Sequence, residues 1–239
     1  MISDAGDMMT LLGPAHLAII ATVVVLAMVL AGIARRRPAR ARLLRLLVGH
    51  GLAVNELIWY VFRYSTEGFR FPEGLPLQLC DITLWMTVAA CLTLSRAATE
   101  LTYFAGLAGA AMAIITPDLW APLLSYPTMY FFLAHGGVVA GALLLVAGRL
   151  VALRPGSVWR AFALVNLYAA VIGIFNALFG TNYLYLCRKP EGASLLDFFG
   201  PWPVYILGGE VLALALFAIL WIPLRSAAPQ ARAVTSAPV

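Results

Sequence analysis

Seven apolar stretches, each about 20 residues long, dominate this 239-residue chain. At 1.5 Å of rise per residue, about 20 such residues cross roughly 30 Å of hydrocarbon, so each stretch reads as a transmembrane helix. They run from Pro14 to Ala34, Leu46 to Tyr64, Leu75 to Leu94, Thr99 to Thr116, Thr128 to Leu150, Val158 to Gly180 and Pro203 to Leu224. Pro14, Pro76 and Pro203 stand where first helical turns are expected, and Gly180 where a last one ends. The expected architecture is all-α and polytopic: a bundle of seven transmembrane helices over residues 1–225. A tail at 226–239, rich in Ala, Pro, Ser and Thr, reads as disordered.

Composition excludes the soluble alternative. A water-facing surface is roughly 25–35% charged, whereas this chain is 11% charged and 62% hydrophobic. Three cysteines are too few for a disulfide scaffold. The first stretch does not read as a signal peptide, because Asp4 and Asp7 precede it and its arginines follow it.

Those arginines set the orientation. Arg35, Arg36, Arg37, Arg40, Arg42 and Arg45 form a block beside the first span, which is a topology signal and not a nucleic-acid patch; no nucleic-acid partner is expected. With seven spans, twelve basic residues fall on that side and four (Arg63, Arg70, Arg188 and Lys189) on the other. The positive-inside rule then places the N-terminus outside and the C-terminus in the cytoplasm, in the inner (plasma) membrane. An odd number of spans without an internal repeat argues against the paired halves common in secondary transporters.

Small residues recur at four-residue spacing in the fourth span (Ala105, Gly109, Ala113) and the sixth (Ala169, Gly173, Ala177), a pattern that lets helix backbones approach. Polar groups within spans are rarer. An ionisable group at the bilayer centre costs about 2.5–3.5 kcal/mol on insertion scales, so such groups mark candidate sites. Counted from the outer end, His16, Glu56, Gln78, Cys80, Asp81, His135, Asn176 and Glu210 fall in the outer half, with Asn182 in the adjoining loop. Polar side chains from several spans at one level suggest a site; a network that only ties helices together is the plain alternative. Cys80 and His135 stand out, because a thiol becomes a nucleophile beside a base or a helix N-terminus. Cys80 lies one turn past Pro76, beyond the strongest part of the helix dipole, and Asp81 is placed to orient His135. A Cys80–Cys187 disulfide is an alternative fate for both thiols.

The segments LPLQLCDIT (Leu75 to Thr83), FFLAHGG (Phe131 to Gly137), GTNYLYLCRKP (Gly180 to Pro190) and SLLDFFGPWPVYIL (Ser194 to Leu207) resemble the bacterial YwaF-type integral membrane proteins. These are similar to the eukaryotic transmembrane protein 164 family, and the resemblance runs from about His16 to the end of the seventh span. It implies a lipid acyltransferase working through a cysteine acyl intermediate, in the eukaryotic branch on ether phospholipids. It matches Cys80 to the nucleophile and His135 to its partner. In a broader set of similar fatty-ester hydrolases the nucleophile is a threonine, which draws attention to Thr83 and Thr87 without a motif match.

The expected function is therefore membrane-embedded acyl transfer or acyl hydrolysis. Cys80, His135 and Asp81 form the catalytic group; Gln78, Glu56, Asn176, Asn182, Glu210 and His16 would bind substrate. The partner is a membrane lipid or lipid-like molecule, and neither cofactor nor metal is required. Two other readings stay open. One is a metal-dependent lipid hydrolase built on His16, His135 and Asp81 or Glu210; the other is a non-enzymatic protein that binds or transports a small molecule or lipid. Retinal is excluded as a ligand because the single lysine, Lys189, lies in a loop.

Overall fold

The computed structural model describes residues 9–192 and 194–225; the tail at 226–239 lies outside them. Among the described residues the fold is all-α, without strands. The helices are α1 (Pro14–Arg36), α2 (Pro38–Glu67), α3 (Leu79–Thr93), α4 (Arg96–Ile115), α5 (Tyr126–Val146), α6 (Ser157–Phe179) and α7 (Val204–Arg225). Five of these, α1, α4, α5, α6 and α7, are long and apolar enough to cross a membrane.

The other two depart from the expected bounds for physical reasons. α2 begins at Pro38, not Leu46, and Arg37 alone separates it from α1. Proline is pre-organised for a first helical position, and the Ala, Leu and Arg residues that follow are good helix formers, so the arginines ride on added turns of helix. One of them, Arg45, donates through Nη1 to the carbonyls of Cys91 and Leu92 and so closes the end of α3. α3 is only 15 residues long, about 22 Å. It starts at Leu79 instead of Leu75 because the Gln78 N–H donates to Asp81 Oδ2 (2.9 Å), which fixes the helix start after Pro76.

α4 and α5 form the centre. Their apolar windows are 67% and 61% buried, against 11–17% for α1, α6 and α7. The outer helices turn Val25, Met28, Leu167, Ile174, Val211 and Ile222 outward. A continuous apolar exterior of this kind suits lipid, not water. Glycine lets α3 and α5 meet: a Cβ on Gly141 would stand 2.5 Å from Thr87 Cγ2. α4 widens into a π-helical turn at Thr102–Gly106, where a Cβ on Gly106 would lie 3.2 Å from Val138 Cγ1 of α5.

The small-residue stripes behave otherwise than expected. Ala105, Gly109 and Ala113 line a cavity, and a Cβ on Gly109 would meet nothing within 4 Å. On α6, Ala169 faces the same cavity while Ala177 is exposed. The missing side-chain volume makes room instead of drawing backbones together.

An ion cluster locks one end of the bundle. Glu100, 2% exposed at the start of α4, accepts hydrogen bonds from Arg154 Nε (2.9 Å) and Nη2 (2.7 Å) and from Arg160 Nε (3.1 Å) and Nη2 (2.8 Å). Removing one member of a buried ion cluster costs several kcal/mol, less here because both arginines are partly solvated. Glu100→Ala is expected to destabilise the fold by about 2–3 kcal/mol. Thermal unfolding in detergent measures this, and an unchanged midpoint would show that the cluster contributes nothing.

Candidate active-site cavity

The first turn of α3, the middle of α5, the second half of α4 and the N-terminal half of α7 enclose a cavity of about 620 Å³. Gln78, Cys80, Asp81, His135 and Glu210 all line it. It extends for about 12 Å along α5, from Tyr130 to Val138. Between the polar groups the walls are apolar and aromatic, with small residues from α4 and α7 among them.

Cys80 sits in the first turn of α3, closer to the helix N-terminus than the placement after Pro76 suggested. Its own amide lies against the sulfur, and open amides at a helix start stabilise negative charge. The Asp81 amide donates to the Gln78 carbonyl (3.1 Å) within the same first turn. The thiol is free, as are Cys187 in the exposed loop and buried Cys91, so the alternative Cys80–Cys187 disulfide is not formed.

The expected pairing of Asp81 with His135 is replaced by two local bonds. Asp81 is occupied by the Gln78 amide, while His135 Nδ1 donates to the Phe131 carbonyl one turn earlier (2.8 Å). The His135 ring also packs on Phe131, with centroids 4.3 Å apart. With Nδ1 carrying the proton, Nε2 is the free lone pair. No protein partner occupies it among the described residues. Thr83 also lines the cavity, but its hydroxyl donates to the Cys80 carbonyl (3.2 Å); Thr87 is buried and donates to the Thr83 carbonyl.

The remaining candidates lie elsewhere. His16 is fully buried at the start of α1: Nδ1 accepts from the Leu12 amide (2.9 Å) and Nε2 donates to the Ile114 carbonyl (2.7 Å). It joins α1 to the end of α4 and does not line the cavity. With both ring nitrogens committed, it does not form a ligand set with His135 and Asp81. Among the described residues no three His, Cys, Asp or Glu side chains stand close enough to hold a metal ion. Glu56 is fully buried behind the cavity wall, where Oε2 accepts from Tyr130 OH (2.6 Å).

Asn176 and Asn182 shape the roof. Asn176 Oδ1 accepts from Thr181 Oγ1 (2.7 Å) and the Tyr183 amide (2.9 Å), and its Nδ2 donates to the Tyr183 carbonyl (2.9 Å). Asn182 Oδ1 accepts from the amides of Cys187 and Arg188, and its Nδ2 donates to the Arg188 carbonyl. The loop so pinned carries Leu184, Tyr185 and Leu186 into the cavity lining. Leu184 and Tyr185 hold φ values of 58° and 53°, costly for non-glycine residues. Gln78 contributes to holding them there, since its Oε1 accepts from the Leu184 amide (3.0 Å). The polar side chains thus support irregular backbone where α3 is too short to reach. Asn176→Ala is expected to cost about 2–4 kcal/mol by stranding the Tyr183 amide and carbonyl. Faster tryptic cleavage after Arg188 and a lower unfolding midpoint would register it; wild-type behaviour in both would refute it.

Tyr130, Trp59, Tyr185 and Tyr205 belong to the lining but were not singled out from sequence. Trp59 stacks on Tyr130 at 4.2 Å, and Tyr205 OH donates to the Tyr185 carbonyl.

A family model, the TMEM164 family, matches residues 11–221. No curated protein and no solved structure matches the chain. The family match and the long apolar helices together make this a multi-pass membrane protein.

Proposed function

The chain belongs to the TMEM164 family, and on that premise we propose that it is a membrane-embedded acyltransferase or acyl hydrolase with Cys80 as nucleophile and His135 as base. The observation that carries the proposal is that both side chains line one cavity, with His135 Nδ1 tied to Phe131 so that Nε2 is available.

His135 Nε2 takes the Cys80 proton, and the thiolate attacks the ester carbonyl of a membrane lipid. The ester C–O bond breaks, and His135 returns the proton to the leaving oxygen, so the acyl group is left as a thioester. An acceptor hydroxyl or water then gives its proton to Nε2 as its oxygen attacks the thioester. The C–S bond breaks and the thiol is restored. Asp81 acts by fixing the start of α3, which presents Cys80.

We place the N-terminus outside and the C-terminus in the cytoplasm of the inner (plasma) membrane, with seven crossings. α2 crosses through its apolar part after Leu46, and α3 crosses together with the irregular, partly exposed segment before it. The basic residues at the α1–α2 junction, the Glu100 cluster and Arg225 then share the cytoplasmic side. Cysteine-accessibility labelling of spheroplasts from both termini tests the orientation.

The chemistry is tested with purified protein in lipid nanodiscs and a phospholipid radiolabelled in its acyl chain. An adduct labile to neutral hydroxylamine and mapped to Cys80 is expected; failure of any thiol to acquire label would overturn the proposal.

A further inference from the structure

A second concavity lies on another face of α5. It is a groove of about 1000 Å³ between α1 and α2, passing over Gly136, Gly137 and Ala140 of α5, and it shares no lining residue with the cavity around Cys80. Along α1 it runs from Ala15 to Leu30, about 22 Å. Its lining is apolar except for Asn55 and Thr22, whose hydroxyl donates to the Ala18 carbonyl (2.7 Å). A long, narrow, apolar groove on a lipid-facing surface has the form of a seat for one extended acyl chain. With no thiol or histidine in its lining, it would hold a lipid without reacting with it.

What stands at the end of the groove narrows the choice of lipid. Leu30 and Leu47 form the end nearest the α1–α2 junction, where Arg35, Arg36, Arg37, Arg40 and Arg42 are all exposed. None of the five forms an ion pair among the described residues. No acidic residue occurs between Asp7 and Glu56 to neutralise them. Topology accounts for the sign of this block but not for the groove that leads to it. Arg36 lies fourteen residues after Thr22 and Arg40 seven before Leu47, so each continues the groove-lining face of its own helix. Their Cα atoms lie about 9–11 Å beyond Leu30 and Leu47 along the helices. The headgroup layer takes up about 5–8 Å on each side of the hydrocarbon, and arginine stems reach along apolar surface to place the guanidinium at that level.

We propose that this groove binds one anionic glycerophospholipid, with an acyl chain between α1 and α2 and the phosphate on Arg36, Arg37 and Arg40. Guanidinium groups bind phosphate through paired hydrogen bonds. A zwitterionic headgroup brings its own cation against Arg35 and Arg42, which flank the phosphate; an anionic headgroup brings none. The site does not depend on acyl transfer.

The test uses the full-length protein in detergent, titrated separately with dioleoylphosphatidylglycerol and dioleoylphosphatidylcholine and read by native mass spectrometry. The two probes share their chains and differ in net charge. Phosphatidylglycerol should bind at least fivefold more tightly. The combined change Arg36→Gln, Arg37→Gln and Arg40→Gln should bring the preference below twofold, whereas an equal loss of charge at Arg70, Arg188 and Arg225 should leave it in place. The groove is tested independently. A Cβ on Gly51, which lines it, would meet nothing within 4 Å, so Gly51→Phe fills the groove without a clash and should weaken both lipids at least fivefold. Equal binding of the two lipids, a preference lost equally in both arginine variants, or wild-type affinity in Gly51→Phe overturns the inference. A lipid-free dimer that Gly51→Phe dissociates would make a second copy of the chain the occupant, and would overturn it as well.

Discussion

Cys80→Ala is expected to abolish the covalent adduct and to lower acyl transfer at least about 10³-fold, which corresponds to about 4 kcal/mol of transition-state stabilisation. The loss should lie in turnover and not in binding, because the cavity keeps its apolar walls and its roof. Cys187→Ala and Cys91→Ala are the internal controls. The first thiol is exposed in the loop and the second is buried away from the cavity, so neither change should touch the adduct. Cys91→Ala should cost some stability, since that side chain is fully buried against Ala90 and Leu145. Steady-state assays on the three variants at matched lipid concentration decide the matter. Wild-type turnover in Cys80→Ala would remove the nucleophile from the mechanism.

His135→Ala is expected to lower turnover by about 10²–10⁴-fold, the range for loss of a general base. Because the ring hydrogen-bonds only to Phe131 of its own helix, the bundle should tolerate its removal. The vacated volume opens on the cavity, so added imidazole should restore part of the rate in His135→Ala and none in Cys80→Ala. A structural histidine would not give this rescue. Full activity in His135→Ala, or rescue that is equal in both variants, would take the proton transfer away from this residue.

The fold was legible in the sequence to the extent that local chemistry decides it. Apolar runs of membrane length lie within α1, α4, α5, α6 and α7 to within a few residues, and Pro14 begins its helix as expected. α2 and α3 were misjudged at their starts. Hydropathy counts an arginine as a break, but Arg40, Arg42 and Arg45 lie on helix, because helix propensity is not hydropathy. At α3 the error ran the other way. Leu75 to Gln78 is apolar enough to continue a span, yet Asp81 caps the Gln78 amide and the chain before it stays irregular.

The site divides along the same line. Residue type alone marked Cys80, His135 and Glu210 as out of place in a membrane segment, and all three line the cavity. The same criterion selected His16, Asn176 and Asn182, which work as joints within the fold. A polar residue near a span end is equally consistent with either use, because its cost is removed by a hydrogen bond whether the partner is a ligand or a distant carbonyl. Ile114 satisfies His16 from 98 positions along the chain. No local pattern carries that information.

What the sequence determined by itself is the solvent of this protein and the inventory of its reactive groups. Both follow from transfer free energies that each residue carries wherever it is placed. Tertiary structure decided which of those groups share a space. The Ala105, Gly109 and Ala113 stripe is the plainest case: on a lone helix it reads as a contact surface, and only the positions of α3, α5 and α7 leave it facing a cavity. Whether small side chains draw helices together or leave a gap depends on the neighbours that hold the helices apart. In this bundle those neighbours include the roof pinned by Asn176, which carries Leu184, Tyr185 and Leu186 into the cavity lining.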